Sequence, residues 1–173
     1  GRGRKAMDER AAWLEGAVQR WEKSLIRISY AYLGDAALAE DAVQETFLKA
    51  WKGYDRFRGE AEEKTWLMRI AINTCKDVRR GAWFRHIDRK ASLDRLPEGW
   101  APFTRREDTV TRAVMALPQR LRAVVLVHCC QGLTAEETAK VLGISRSTVF
   151  QRMKNARAIL QKEWEGRRDD DDR

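Results

Sequence analysis

Four cationic side chains, Arg146, Arg152, Lys154 and Arg157, fall within twelve residues of one another in the stretch Thr134 to Arg157, TAEETAKVLGISRSTVFQRMKNAR. Guanidinium and ammonium groups repeated along one helix bond phosphate oxygens and base edges, which is the chemistry of a duplex reader. The element that would position them is a helix-turn-helix. Ala139 supplies a small residue where two helices cross, Gly143 a residue tolerant of positive φ in the turn, and Val149 an apolar anchor beneath the second helix. Ser145 stands where its hydroxyl caps that helix by accepting a backbone N–H bond.

Two further sets of polar residues share helix faces. In the segment from Ala36 to about Tyr54, Val43, Phe47 and Trp51 form an apolar stripe, leaving Asp41, Gln44, Glu45 and Lys49 for another face. In a helix beginning near Thr65, Leu67, Ile70, Ala71, Thr74, Cys75 and Val78 are predicted to face inward. Arg69, Asn73, Lys76, Arg79 and Arg80 then make a basic, polar outer face. Charge is segregated accordingly: Asp35 to Glu63 holds eight acids and four bases, a net of −4, whereas Lys64 to Lys90 holds eight bases and two acids, a net of +6. The chain as a whole carries +8, which favours a polyanionic partner.

Catalysis finds no foothold. There is no Gly-rich phosphate loop, no His paired with a nucleophile and no metal-ligand spacing, so neither an enzyme nor a cofactor nor a small-molecule substrate is expected. His128, Cys129 and Cys130 are consecutive, and neighbours on a helix point about 100° apart, too far to close on one ion. These cysteines and Cys75 lie in apolar helical patterns and are expected to be reduced, buried thiols. No run approaches the roughly 20 apolar residues of a membrane span, and no signal-peptide core is evident, so the expected location is the cytoplasm.

The remaining elements are also helical. Leu14, Val18, Trp21, Leu25 and Ile28 alternate at spacings of four and three, predicting a helix that Gly34 and Asp35 stop. FRGEAEEK, Phe57 to Lys64, breaks the periodicity as a loop, and Gly81 to Asp108, with Pro97, Gly99 and Pro102, reads as a linker long for one compact domain. Trp83, Phe84, Trp100 and Phe103 in that linker suggest that part of it docks. Val110, Ala113, Val114 and Leu117 then make a short face. Pro118 opens a new helix at a first-turn position, and Leu121 to Cys130 is apolar enough to be the centre of a small bundle ended by Gly132. Gly1 to Lys5 reads as a frayed end or a cloning remnant. No period-two strand pattern survives, and the expected fold class is all-α, two small helical domains joined by a flexible linker.

With those residues in place, the chain resembles the extracytoplasmic-function (ECF) group of sigma-70-family sigma factors, from about Trp13 to Trp164. Three motifs carry the resemblance: LGDAALAEDAVQETFLKAW (Leu33 to Trp51), FRGEAEEKTWLMRIAINTCKDVRR (Phe57 to Arg80) and LPQRLRAVVLVHCCQGLTAEETAKVLGISRSTVFQRMKNAR (Leu117 to Arg157). The resemblance implies a sigma region 2-like domain over 7–80, a linker over 81–108 and a sigma region 4-like domain over 109–166; beyond these the charged run RRDDDDR reads from its composition as a disordered tail over 167–173. It implies a factor that binds core RNA polymerase, through the β′ clamp helices and the β subunit, and directs it to promoter DNA. Asp41, Gln44, Glu45 and Leu48, at spacings of three and four, would form the clamp-binding face.

The second motif resembles the part that opens and reads the minus-ten element, with Arg58, Trp66, Arg69, Asn73, Lys76 and Arg80 as its residues and the FRGEAEEK loop holding a flipped base. The ring of Trp66 is open to two readings, core or stacking platform. Glu60, Glu62 and Glu63 would repel phosphate, so only part of the loop would lie on the DNA backbone. The third motif would read the minus-thirty-five duplex through Arg146, Ser147, Thr148, Gln151, Arg152, Asn155 and Arg157. Where the family commonly has Lys-Ser after Thr-Val, this chain has Phe150-Gln151. If exposed, Phe150 touches a thymine methyl but neutralises no phosphate; if buried, its neighbours still carry the reading. The family also implies an anti-sigma factor, often membrane-anchored, as a partner. A plain helix-turn-helix regulator would leave the acidic helix and the Trp66 region without purpose, and a protein-only adaptor would leave the basic recognition helix unused.

Overall fold

The computed structural model describes residues 1–57, 62–84 and 105–171, and in these it is helical throughout, without a strand. Arg58 and most of the sequence-predicted linker lie outside the described residues. The chain divides into two compact units, 1–93 and 94–173.

In the first unit, α1 (Arg2–Leu33) ends on Gly34, whose φ of 71° lets its N–H reach Tyr30 O. Asp35 caps α2 (Ala36–Gly53) at once, its carboxylate accepting from Leu38 N at 2.9 Å. Only two residues thus separate two long helices, which forces them side by side. A 3-10 turn, Tyr54–Arg56, follows, and α3 (Glu63–Phe84) packs on both earlier helices. Ala39, Ala42 and Ala50 on α2 are fully buried, and such small side chains let the bundle close around Leu25, Ile28, Leu67, Met68 and Ile72. The buried arc of α3 is wider than the predicted stripe. Met68 and Ile72 are fully buried, whereas Ile70 and Val78 are half-buried, because α3 faces two helices at once.

The first described helix of the second unit, α4 (Arg105–Ala116), begins before the predicted Thr109, while α3 runs to Phe84, past the predicted Gly81. Pro118 sits just outside α5 (Gln119–Val124) as its N-cap rather than in the first turn, with ψ at 142° and its carbonyl accepting from Leu121 and Arg122. The predicted single helix to Cys130 changes pitch at Val125–Cys130, a π turn closed by Gln131 N to Leu126 O. One extra residue per turn shifts the phase of the apolar face. Val125, Leu126 and Val127 remain buried, but Cys129 and Cys130 are exposed, contrary to the expectation of buried thiols; Cys75 alone is buried. Burial raises Cys75 to about 11.

Helices α6 (Ala135–Leu142) and α7 (Arg146–Asp171) complete this unit. Among the described residues both ends of the chain are helical. Helix α1 begins at Arg2, and α7 continues through the charged end to Asp171, where no proline interrupts it and local pairs such as Gln161–Glu165 span a turn.

Candidate functional site

Each half of the helix-turn-helix is fixed by its own termini. Thr134 caps α6 in a reciprocal box: its hydroxyl accepts from Glu137 N at 3.1 Å while Glu137 Oε2 accepts from Thr134 N at 2.8 Å. Gly143, at φ 66°, takes the left-handed conformation that turns the chain, and Ile144 N donates to Ala139 O. Ser145 caps α7 as expected, its Oγ accepting from Thr148 N at 3.1 Å. Beneath, Val149 and Ala156 are fully buried, and Ala139 is buried at the crossing. His128 Nδ1 lies 2.6 Å from Leu133 O, so that nitrogen carries the proton and ties the preceding helix to the turn.

This scaffold leaves Arg146, Ser147, Phe150, Gln151, Asn155 and Arg157 exposed and Arg152 half-buried. Phe150 is 52% exposed, which decides between the two readings of its ring. The Arg146 guanidinium sits 5.6 Å from that ring's centroid. Thr148 is half-buried with its hydroxyl 2.7 Å from Ser145 Oγ, so it belongs to the cap as much as to the surface. Gln151 Nε2 donates to Asn155 Oδ1 at 3.2 Å, presenting the two amides as a linked pair.

On α2, Asp41, Gln44, Glu45 and Leu48 are all exposed, Leu48 at 55%, while Val43, Phe47 and Ala50 on the opposite side are buried. A leucine that exposed amid carboxylates and an amide is the mix of apolar anchor and polar rim found in protein interfaces. Lys49 leaves this face, reaching Thr74 Oγ1 at 3.2 Å and Asp77 at 3.6 Å on α3.

On α3, Arg69, Asn73 and Arg80 are exposed and Lys76 is half-buried, with Arg80 3.6 Å from Asp77. Arg79 departs from the predicted outer face: it is half-buried, and its Nη1 is buried without a hydrogen-bond partner among the described residues. Trp66 is neither core nor free platform. Half-buried, it stacks on Phe57 at 4.7 Å and meets Trp13 at 5.9 Å.

The residue that sequence reasoning misplaced is Glu63. It opens α3 instead of lying in a phosphate-repelling loop, and it gathers donors from α1. Its Oε1 accepts from Trp13 Nε1 at 2.7 Å and Arg20 Nη2 at 2.8 Å; its Oε2 accepts from Trp21 Nε1 at 2.8 Å and Arg20 Nε at 3.1 Å. Burial pushes the carboxyl upward, but the bonds from Arg20, Trp21 and Trp13 outweigh it and hold the group below the usual carboxylate range. The available signal was the pair of tryptophans on α1, since an indole N–H on a packed face needs an acceptor.

Similarity to known proteins follows the same division. Residues 17–85 match the family model for sigma-70 region 2, and residues 107–160 match that for sigma-70 region 4. The chain is 31% identical over 159 residues to the RNA polymerase sigma-H factor of Pseudomonas aeruginosa, covering 84% of this chain and 82% of that protein. It is 33% identical over 148 residues to the ECF RNA polymerase sigma factor SigM of Mycobacterium tuberculosis, covering 82% and 72%. With SigG of the same species, 30% identical, it shares 92% of its own length but only half of that relative's. Among solved structures, the sigma factor RpoE of Bartonella quintana, in complex with the anti-sigma factor NepR, has the same fold at a TM-score of 0.68 and 24% identity, over 86% of this chain and 94% of that one. CnrH, solved with the cytosolic domain of CnrY, aligns at 0.65 and 24%, over 88% of each chain.

Proposed function

The chain belongs to the extracytoplasmic-function group of the sigma-70 family, and from that premise we propose a division of labour among its helices: α2 binds core RNA polymerase, α3 reads and opens the minus-ten element, and α7 reads the minus-thirty-five duplex. The observation that carries this reading is one chain holding both an exposed leucine in an acidic, polar helix face and a capped, basic helix-turn-helix, in separate compact units. Asp41, Gln44, Glu45 and Leu48 meet the clamp helices of the β′ subunit, where charge steers association and the leucine supplies the buried contact. Arg69, Asn73, Lys76 and Arg80 line one side of α3 for phosphates and unstacked bases, with Trp66 braced by Phe57 at its edge. Arg146, Ser147, Gln151, Arg152, Asn155 and Arg157 contact base edges and phosphates, and Thr148 holds the cap that sets their height in the groove.

Control by an anti-sigma factor belongs to the same proposal. The fold is that of a factor solved with one, and a partner covering the α2 face would block polymerase. Anchoring of that partner in a membrane is the finer form of this reading; no described helix of this chain is itself long and apolar enough to cross one.

The test is initiation in vitro. With core polymerase and a template carrying both promoter elements, the purified protein gives a discrete transcript that core alone does not give. Glu45→Ala weakens polymerase binding with upstream-element affinity unchanged, and Arg152→Ala does the reverse, lowering the salt slope of duplex binding by about one counterion. A protein that binds core no better than an unrelated basic protein of equal charge refutes the assignment.

A further inference from the structure

Phe150 is the largest apolar side chain on the outward side of the helix-turn-helix, 52% exposed one residue after fully buried Val149. Burying an aromatic ring is strongly favourable, and the fold leaves about half of this one in water. Around it the chemistry is uniform. Ser147 and Gln151 are exposed and polar, and Arg146, one turn earlier, holds its guanidinium 5.6 Å from the ring centroid. From Thr138 to Lys162 the chain contains no acidic residue and six basic ones, Lys140, Arg146, Arg152, Lys154, Arg157 and Lys162. The surroundings of the ring therefore complement a polyanion. A protein partner would have to be strongly acidic to sit there.

Within a polyanionic duplex, the major-groove floor offers one apolar group, the C5-methyl of thymine. We infer that Phe150 reads a thymine methyl in the upstream promoter element, with Arg146 braced against its ring to bond the neighbouring base edge or phosphate. This rests on the upstream-element reading of α7 and adds to it a residue that makes no hydrogen bond. The two side chains act as a unit. The ring removes one side of the guanidinium from water and limits its rotamers, so less freedom is lost when the cation docks. Because Phe150 neutralises no phosphate, its contribution is independent of salt, unlike those of the cations around it.

The experiment uses the full-length protein and duplexes selected by it from a randomised pool. Each thymine of the selected element is replaced singly by deoxyuridine, which removes only the methyl group. Transfer of one methyl-sized group is worth about 0.8 kcal/mol, so one position should cost the unaltered protein about fourfold in affinity. Phe150→Ala should bind the thymine duplex at least as weakly as the unaltered protein binds the uridine duplex, since the brace on Arg146 is lost with the methyl contact, and should no longer distinguish the two. Its salt slope should be unchanged, which a misfolded variant would not preserve. Phe150→Leu should keep most of the methyl discrimination, whereas Phe150→Lys should lose it and steepen the salt slope by about one counterion. A selected element whose thymines all tolerate uridine overturns the methyl contact, as does Phe150→Ala that remains as uridine-sensitive as the parent. If Phe150→Ala leaves DNA affinity intact but weakens polymerase binding, the ring docks protein and the inference fails. A pool that yields no shared sequence overturns the promoter reading of α7 itself, and the methyl contact with it.

Discussion

The convergence of two indoles and a guanidinium on Glu63 makes a quantitative prediction about the first helical unit. Trp13→Phe removes the 2.7 Å bond to Oε1 while keeping an aromatic ring beside Tyr54 at 4.9 Å and Trp66 at 5.9 Å. A hydrogen bond to a charged acceptor is worth about 1.5–3 kcal/mol, and Glu63 keeps its other donors, so the expected loss is about 1–2 kcal/mol. Glu63→Gln is harsher. One carboxylate oxygen becomes an NH2 group, and whichever way the amide turns, one indole N–H and one guanidinium N–H face a donor. A part-buried indole N–H left unmatched costs about 1–3 kcal/mol, whereas the Arg20 guanidinium, 50% exposed, turns its freed N–H to water, so the expected loss is about 1–3 kcal/mol for this carboxylate, whose side chain is 22% exposed. In the double variant the amide nitrogen can turn towards position 13, where the indole donor is gone and only the exposed Arg20 guanidinium, free to turn to water, remains. The combined loss should therefore fall short of the sum by about 1 kcal/mol. Urea unfolding of the full chain, followed by far-ultraviolet circular dichroism with the two units fitted as separate transitions, measures all four states. Additivity within about 0.5 kcal/mol would refute the claim that Glu63 and Trp13 stabilise the unit through one another.

The same carboxylate sets a pH dependence. Its folded value lies below its unfolded one, so its stabilisation is present above the ordinary carboxylate range and is lost as pH falls through the folded value; the deficit of Glu63→Gln should shrink in acid, and a constant deficit from neutral pH to below that value would contradict the assignment. Gly143→Ala places a Cβ on a residue at φ 66° and should cost the second unit about 1–2 kcal/mol with the clash-free surroundings leaving the fold intact, as read by thermal melting. Leu48→Ala, on a side chain 55% exposed, should change stability by less than about 0.5 kcal/mol yet weaken core polymerase binding about tenfold, measured by fluorescence anisotropy. Cys129 and Cys130, exposed although burial of part of each side chain raises both thiols, should react with a disulfide reagent in the native protein and faster as pH rises, and Cys75, buried and raised to about 11, only on unfolding.

Local chemistry was legible wherever it depends on neighbours in the chain. The stop at Gly34 and Asp35, the left-handed Gly143 and the Ser145 cap all involve groups within four residues of one another, and residue type with spacing is enough to predict them. The exposure of Asp41, Gln44, Glu45 and Leu48 followed from the 3.6-residue period in the same way, because Val43 and Phe47 fix which side of α2 is buried. The π turn was not legible. Its apolar residues read as a continuous helix, and only the packed second unit shows the change of phase that exposes Cys129 and Cys130.

The sequence by itself determined the family, the helical class and the faces that follow from periodicity, since each is written in type and spacing along one strand of chain. Tertiary structure decided the surroundings of side chains that lie far apart in sequence. Glu63 meets Trp13 across 50 residues and Trp21 across 42, and the same acid that looks repulsive to phosphate in a linear reading is neutralised once α1 lies against α3. Phe150 is the converse case: an apolar residue has no assigned side until Val149 and Ala156 occupy the buried face, after which helical geometry leaves its ring in water beside Arg146.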